Sequence, residues 1–156
     1  MKKTISLILA AVMILAAFAL TGCSSGKGKS PDDIKKAGKL VVYTEAGFAP
    51  YEFIYNNEIV GVDVEIMKEV AKKLGVKVEV SDVDFNTICA SVKSGKADVG
   101  AAGITINDDR KLSVDFSMPY STTEQYIIVA ENNDTIKTLE DLSGKKIGVQ
   151  EGTTSD

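Results

Sequence analysis

The sequence has 156 residues, a formal net charge of -4 and no histidine. Without histidine the chain lacks metal sites built on imidazole and the Ser-His and Cys-His catalytic pairs, and we expect neither a metal nor a cofactor. The mildly acidic charge argues against a nucleic-acid partner.

The N-terminus has the features of an exported protein. Lys2 and Lys3 precede an apolar run over residues 5–20, which is short for a helix that spans a bilayer. Small residues then lead to Cys23 in the order Leu-Thr-Gly-Cys, which resembles the lipobox of bacterial lipoproteins. The resemblance implies a signal peptide over residues 1–22 and a diacylglyceryl group on Cys23, the new N-terminus. The alternative is an ordinary secretory peptide that happens to contain a cysteine.

Cysteine usage agrees with this interpretation. The chain has two cysteines, and lipidation of Cys23 leaves Cys89 without a disulfide partner. Residues 24–30 are small, polar and contain glycine, so residues 23–30 are predicted to be a lipidated, flexible tether. Residues 31–156 remain to fold, which is enough for one domain of ordinary size.

Capping side chains and glycines mark the predicted helices. Ser30 and Pro31 begin a short helix that Gly38 ends. Apolar residues recur at helical spacing over residues 63–74, and Gly75 closes that helix. Three further helical segments are predicted: residues 86–94 with Asn86 as the cap, a helix start at Asn107, and a brief helix around Leu139.

Short apolar and β-branched runs alternate with these helices. The predicted strands cover residues 39–44, 51–55, 76–80, 97–102, 126–130 and 145–150, with a turn at Asn56 and Asn57. Strands that alternate with helices indicate βαβ units and a largely parallel sheet, which is the α/β class. Ligands of such sheets bind beyond the carboxyl ends of the strands. The loops to inspect are therefore residues 45–50, 84–87, 103–110 and 151–155.

Each of these loops is weakly informative by itself. Phe48 and Phe85 are residues that ordinary packing would also explain. Arg110 lies in a predicted first helical turn, where its charge opposes the helix dipole, and this favours some other use of the side chain. The alternative is a solvated surface arginine that is paired with Asp108 or Asp109.

The order of several motifs is more specific than any one loop. From Leu40 to about Thr154 the chain resembles the bacterial extracellular solute-binding proteins of the polar amino-acid type, family 3. The stretches that carry the resemblance are Phe-Ala-Pro-Tyr-Glu-Phe (48–53), Gly-Val-Asp-Val-Glu (61–65), Ser-Gly-Lys-Ala-Asp-Val-Gly (94–100), Gly-Ile-Thr-Ile (103–106), Val-Asp-Phe-Ser-Met-Pro-Tyr (114–120) and Lys-Lys-Ile-Gly-Val-Gln-Glu-Gly-Thr-Thr (145–154).

The resemblance implies roles for residues of the first lobe. Arg110 would clamp the α-carboxylate of the ligand, because a guanidinium fork matches a carboxylate with two hydrogen bonds. Thr105 would add its hydroxyl or amide, and Gly103 would let the backbone come close to the ligand. Phe48 and Phe85 would enclose the ligand's side chain between their rings.

Three more residues complete the set that the resemblance implies. Glu45 would reach the distal end of the ligand. Gln150 and Thr153 would close over the ligand from the second lobe, with Thr153 at a helix N-terminus that favours the carboxylate.

The implied fold is α/β, of the periplasmic-binding-protein-like type II two-lobe kind. Residues 31–122 correspond to most of the ligand-binding lobe 1, and residues 123–156 to a hinge strand and the start of lobe 2. Members of the family continue beyond Thr154 and supply an aspartate for the ligand's α-amino group. We therefore expect a fragment that by itself binds weakly or not at all.

The implied function is capture of a polar or basic amino acid outside the cell, by closure of the two lobes, for the permease subunits of an ABC importer. We expect a monomer without enzymatic activity, held at the cell membrane by the lipid on Cys23. The alternatives are a dehydratase-like enzyme that uses Glu45 as a general acid or base, and a ligand-sensing module. Glu45 suits a cationic ligand side chain, although an amide or the ammonium of cystine fits it equally.

Overall fold

A computed structural model describes residues 28–156. The predicted signal peptide, the lipidated Cys23 and most of the tether lie outside the described residues. In the part of the chain that is described, no helix has the length and apolar character needed to cross a membrane.

Strands and helices follow each other along the described chain. In order they are α1 (Pro31–Ala37), β1 (Lys39–Thr44), β2 (Gly47–Phe48), β3 (Glu52–Tyr55), β4 (Glu58–Val60), α2 (Val62–Leu74), β5 (Lys77–Asp82), α3 (Phe85–Lys93), β6 (Val99–Gly100), α4 (Asp108–Lys111) and a 3₁₀ turn (Glu140–Leu142).

The first helix begins and ends where the sequence predicts. The Ser30 hydroxyl accepts a hydrogen bond from the Asp33 amide at 3.2 Å, and the Asp33 carboxylate accepts one from the Ser30 amide at 3.2 Å. This reciprocal pair satisfies amides that the first helical turn leaves without partners. Gly38 ends the helix at φ 72°, in the left-handed region that glycine tolerates best.

The main sheet is parallel, as predicted, with strand order β5-β1-β6. The central strand β1 places Leu40 beside Val78, and Val42 between Val80 and Val99. Leu40 and Val42 are each only 1% exposed, because helices cover this sheet. The hydrophobic core therefore lies on β1, which also fixes the position of the loop that follows it.

A second sheet is antiparallel, with strand order β2-β3-β4. Asn56 and Asn57 have φ values of 48° and 65°, which is the backbone of a tight two-residue hairpin turn. The predicted turn is thus confirmed, and its strands form a small sheet of their own. Its register sets Phe48 opposite Glu52.

The structure corrects the start of α3 and the length of β6. The cap of α3 is Asp84 and not Asn86, because the Asp84 carboxylate accepts a hydrogen bond from the Asn86 amide at 2.9 Å. β6 is limited to Val99–Gly100, within the predicted range 97–102. The reason is that only Val99 and Gly100 have ladder partners on β1.

The predicted strands at residues 126–130 and 145–150 are wrong for the described structure. Neither segment forms a ladder, and apolar side chains along both are exposed, including Ile128 at 94% and Ile147 at 57%. A strand requires a hydrogen-bonded neighbour, and among the described residues neither segment has one. The brief helix predicted around Leu139 is present as the 3₁₀ turn that follows it.

Candidate functional site

The candidate site lies where the three parallel strands of the main sheet end. Glu45 follows β1, Phe85 opens the helix after β5, and residues 103–110 follow β6. The Asp82 carboxylate holds the loop after β1 by accepting a hydrogen bond from the Ala46 amide at 2.8 Å. Adjacent parallel strands bring their following loops to one edge of the sheet, which is the usual place for a ligand in an open α/β sheet.

Arg110 is oriented by several contacts. Its Nη1 donates to the Thr105 carbonyl at 2.8 Å and its Nη2 donates to the Gly152 carbonyl at 2.9 Å. The Cζ atom lies 5.4 Å from the centre of the Phe85 ring, in a cation-π arrangement. The Asn107 side chain caps α4 by accepting from the Arg110 amide at 2.9 Å. The guanidinium is therefore held on two sides before any ligand arrives.

The alternative of a surface arginine paired with a neighbouring acid is wrong. Within residues 28–156, no carboxylate forms a salt bridge with Arg110, and Asp108 pairs instead with Lys111 at 3.1 Å. The acceptors of Arg110 are neutral carbonyl groups. A positive charge satisfied only by neutral acceptors keeps its attraction for an anion.

A cavity of about 190 Å³ lies beside the guanidinium. Its walls are formed by Phe85, Asn86, Cys89, Ile104, Arg110 and Gly152. A larger groove of about 800 Å³ runs along α2 and the edge of β3 and β4, and none of the eight predicted site residues lines it. The smaller cavity combines apolar walls with one fixed cation, which is the arrangement that orients a small polar ligand.

The two predicted aromatic residues have different surroundings. Phe85 lines the cavity, whereas Phe48 stacks on Tyr51 with ring centres 5.3 Å apart and stays 47% exposed. Gly103 has a φ of 55°, and a Cβ atom there would lie 3.0 Å from the Phe48 ring. Glycine is favoured at this position because its φ lies in the left-handed region, and the ring of Phe48 lies close to its backbone.

Glu45, Gln150 and Thr153 come together across a long stretch of sequence. The Gln150 side-chain amide donates to the Glu45 carboxylate at 3.4 Å. The Thr153 hydroxyl donates to the Gln150 carbonyl at 2.8 Å, so that it stabilises a turn. The Thr153 amide donates to the same carbonyl at 3.4 Å, and the helix start expected at Thr153 stays a prediction. Thr105 is exposed and enters the site through its carbonyl.

Sequence reasoning missed a buried acidic pair directly behind this site. Glu52 and Asp63 are each 1% exposed. Burial, and next the negative charge of Asp63, raise the pKa of Glu52 to about 9. The Asp63 carboxylate accepts hydrogen bonds from the Gly103 amide and the Tyr120 hydroxyl, both at 2.8 Å. Burial and the bond to Asp63 raise the pKa of Tyr120.

A signal for this cluster was present in the sequence. Glu52, Asp63 and Tyr120 each lie in one of the motifs that carried the family resemblance. Acidic residues in a strand or in a first helical turn are usually exposed to solvent, so the sequence alone gave no reason to expect that Glu52 and Asp63 are buried.

Comparison with known proteins gives a consistent picture. The family model described as bacterial extracellular solute-binding proteins, family 3, matches residues 40–155. The arginine-binding extracellular protein ArtP of Bacillus subtilis is 40% identical over 156 residues, which is 100% of this chain and 58% of ArtP. The L-cystine-binding protein TcyJ of Escherichia coli is 37% identical over 122 residues, which is 77% of this chain and 46% of TcyJ.

Solved structures agree with the sequence relatives. An ancestral arginine-binding protein bound to arginine is 53% identical, with a TM-score of 0.72 over 76% of this chain and 53% of that one. The arginine-bound form of domain 1 from TmArgBP is 43% identical, with a TM-score of 0.56 over 57% and 71% of the two chains. The ancestral amino acid-binding protein AncCDT-1, a precursor of cyclohexadienyl dehydratase, is 41% identical, with a TM-score of 0.69 over 73% and 51%.

These likenesses confirm the predicted fold, the α/β type II two-lobe fold of periplasmic binding proteins. The chain spans a little over half the length of the curated relatives that it matches over its whole length, 58% for ArtP and 60% for a histidine-binding protein of Campylobacter jejuni.

Proposed function

Because this chain belongs to the bacterial extracellular solute-binding proteins of family 3, we propose that it is the ligand-capturing part of an amino-acid receptor for an ABC importer. The ligand docks on the first lobe through its α-carboxylate, and the second lobe closes over it. Closure is driven by contacts that form only when both lobes touch the ligand. No covalent bond is made or broken.

The observation that carries the proposal is the geometry of Arg110. Its guanidinium lies beside a cavity, is aimed by the Thr105 and Gly152 carbonyls, and is matched by no carboxylate of the described chain. An α-carboxylate supplies the missing anion, and the planar fork of arginine binds it with two parallel hydrogen bonds.

The ligand class follows from Glu45. Its carboxylate lies at the same edge of the sheet and contacts only the neutral side chain of Gln150 among described hydrogen bonds. A cationic ligand side chain is the natural partner of such an acid, so we propose a basic amino acid, with L-arginine as the first to test. The name of ArtP and the arginine-bound ancestral protein support this choice.

The eight predicted residues stay in the proposal with the roles that the resemblance implies. Arg110, Thr105 and Thr153, whose neighbour Gly152 bonds to Arg110, belong to the carboxylate end, and Gly103 lets the backbone come close to the ligand. Phe48 and Phe85 enclose the ligand's side chain, and Phe85 also contacts the guanidinium. Glu45, bonded to Gln150, belongs to the distal end of the ligand.

The proposed organisation of the whole protein has four parts. They are a signal peptide (1–22), a lipidated Cys23 with its tether (23–30), most of the ligand-binding lobe (31–122), and the hinge segment with the start of the second lobe (123–156). The lipid would keep the protein on the outer face of the cell membrane, next to the permease subunits that receive its ligand. We propose that it acts as a monomer.

A dehydratase-like activity is the competing assignment, and AncCDT-1, a precursor of such an enzyme, shares the fold. Among the described hydrogen bonds Glu45, the acid or base of this assignment, contacts only the neutral Gln150 amide, and the acids Glu52 and Asp63 are each 1% exposed and therefore out of reach of a substrate. AncCDT-1 is itself named an amino acid-binding protein. Both points favour binding over catalysis.

The test is a thermal-shift panel of the L-amino acids and cystine, on the complete protein without its signal peptide and lipid. At 100 times Kd a ligand adds about 2.7 kcal/mol to the free energy of unfolding, which raises Tm by roughly 5–10 °C in a protein of this kind. We expect L-arginine to produce such a shift and Arg110→Ala to abolish it.

Lys111→Ala is the matched control, since Lys111 is the next residue of α4 and pairs with Asp108 away from the cavity. It should respond to L-arginine as the wild type does. A well-folded wild type that responds to no amino acid would remove the receptor proposal. Equal loss in both variants would remove the specific role of Arg110.

A further inference from the structure

Asp63 lies where three segments of the described chain meet. It is in the first turn of α2, and its Oδ2 atom accepts hydrogen bonds from the Gly103 amide and from the Tyr120 hydroxyl, each at 2.8 Å. Gly103 begins the loop that carries Thr105 and Arg110. Tyr120 begins the segment that leads to Gln150 and Gly152. One carboxylate oxygen thus joins both halves of the candidate site.

Glu52 completes this arrangement from behind. One oxygen of each carboxyl group, Glu52 Oε2 and Asp63 Oδ1, is buried without a hydrogen-bond partner, and the negative charge of Asp63 helps to raise the pKa of Glu52. Two such buried acceptor oxygens can both be satisfied when one proton is shared between the two groups. The raised pKa of Glu52 places that proton on Glu52 at neutral pH.

A second contact runs parallel to this one. The Tyr51 and Ser121 hydroxyl groups are hydrogen-bonded at 2.7 Å, and Tyr51 also stacks on Phe48. The neighbouring residues Tyr120 and Ser121 are therefore both attached to elements that surround Gly103. The end of the first lobe, just before the hinge segment, is thus held to the region around the ligand loop.

We propose that Asp63 is a positioning residue for ligand capture, which couples the ligand loop at Gly103 to the residues at Tyr120 that lead into the hinge segment, with Glu52 holding its carboxylate in place. The ligand part of this statement rests on the proposed function. Loss of the Tyr120 bond should loosen the loop and weaken binding, although Tyr120 does not line the cavity.

The test uses Tyr120→Phe, with Tyr126→Phe as the matched control. Tyr126 lies on the same segment and its hydroxyl also donates to a carboxylate, that of Glu124 at 2.9 Å, but it is 79% exposed and makes no contact with Asp63. Both variants lose one hydroxyl group and keep the ring. A difference in binding or exchange between the two variants is therefore due to loss of the contact with Asp63.

Two readouts are measured on the complete protein without its signal peptide and lipid. In calorimetric titration with L-arginine, Tyr120→Phe should weaken binding about tenfold, and Tyr126→Phe less than twofold, because Tyr120 bonds to the buried carboxylate of Asp63, whereas Tyr126 and Glu124 are both exposed. In hydrogen exchange without ligand, the Gly103 amide should exchange faster in Tyr120→Phe, relative to the core amide of Val42.

The two readouts separate this inference from the proposed function. Wild-type affinity together with unchanged Gly103 exchange in Tyr120→Phe would overturn the coupling role of Asp63. Faster exchange at Gly103 in a protein that responds to no amino acid would support the coupling and overturn the proposed function. Glu52→Ala should weaken binding and speed exchange at Gly103, and Glu52→Gln, which retains a side-chain donor, should restore both towards the wild type. Wild-type affinity and exchange in Glu52→Ala would overturn the part assigned to Glu52.

Discussion

At the scale of single residues, the molecule has ionisable side chains at partly or wholly buried positions. Arg110 is half-buried with neutral acceptors, and Asp63 and Glu52 are buried side by side. Such groups are costly unless each finds a partner. These side chains lie around one cavity or directly behind it. The cost of burying ionisable groups is therefore concentrated at the candidate site.

The acidic pair makes stability depend on pH. The pKa of Glu52 rises from an ordinary 4.5 to about 9 on folding, through burial first and the charge of Asp63 second. Between these values the folded chain keeps a proton that the unfolded chain releases. The contribution of Glu52 to the free energy of unfolding is therefore greatest below about pH 4.5. It falls by at most about 1.4 kcal/mol per pH unit as the pH rises to about 9.

Urea denaturation of the wild type and Glu52→Gln at pH 5, 7 and 9 measures this effect. The difference in unfolding free energy should shift steadily in favour of Glu52→Gln as the pH rises, because glutamine has no proton to lose. Glu58→Gln, at an exposed position of β4, is the control and should follow the wild type. Parallel curves for the wild type and Glu52→Gln would contradict the assignment.

At the scale of elements, the start of α2 is the most constrained junction. Gly61 has a φ of 131°, and a Cβ atom there would collide with the Tyr51 carbonyl, a backbone atom that has little freedom to move. Gly75, at the other end of the helix, has a φ of 73° and open space around it. Glycine is needed at both ends, but for different reasons.

The two ends of α2 should therefore respond differently to alanine. Gly75→Ala introduces only left-handed strain, which costs about 1–2 kcal/mol. Gly61→Ala adds a backbone collision, and we expect a loss of about 3 kcal/mol or more in the free energy of unfolding. Chemical denaturation of both variants measures the contrast. Equal losses would show that the backbone at residue 51 yields easily.

The elements also show what the sequence can predict. Signals that act within a few residues were reliable: the Ser30 cap, the Asn56-Asn57 turn, and the glycines that end α1 and α2. Each depends on backbone conformation or a neighbouring amide, so local sequence contains the cause. The one local error, Asn86 as a cap, arose because Asp84 offers a similar acceptor two residues earlier.

Features that depend on distant partners were not predictable in this way. Residues 126–130 have the composition of a strand, but a strand exists only beside another one. The Glu52–Asp63 contact joins residues of a strand and a helix that each appear ordinary alone. The Gln150–Glu45 contact spans 105 residues. The family resemblance covers the part of the chain that contains these residues. Which of the residues contact each other could be seen only in the folded structure.

At the scale of the whole molecule, the proposed attachment to a membrane depends on residue 23. If Cys23 is lipidated, Cys23→Ser should release the protein from the membrane fraction into the extracytoplasmic fluid and abolish incorporation of labelled fatty acid. Cys89→Ser is the control, since Cys89 lines the cavity in the folded domain. Membrane association that persists in Cys23→Ser would contradict the lipobox interpretation and favour an ordinary secretory peptide.

The bonds from Arg110 to the Thr105 and Gly152 carbonyls use only part of the donor capacity of its guanidinium, which has N–H donors on three nitrogen atoms. In the proposed receptor a ligand carboxylate can therefore bind to the remaining donors while both carbonyl bonds stay intact. Arg110 then works as a bridge, because the same group that would bind the carboxylate already ties the loop at residue 105 to the segment at residue 152. An amide derivative such as L-argininamide lacks the negative charge of the carboxylate and should bind more weakly.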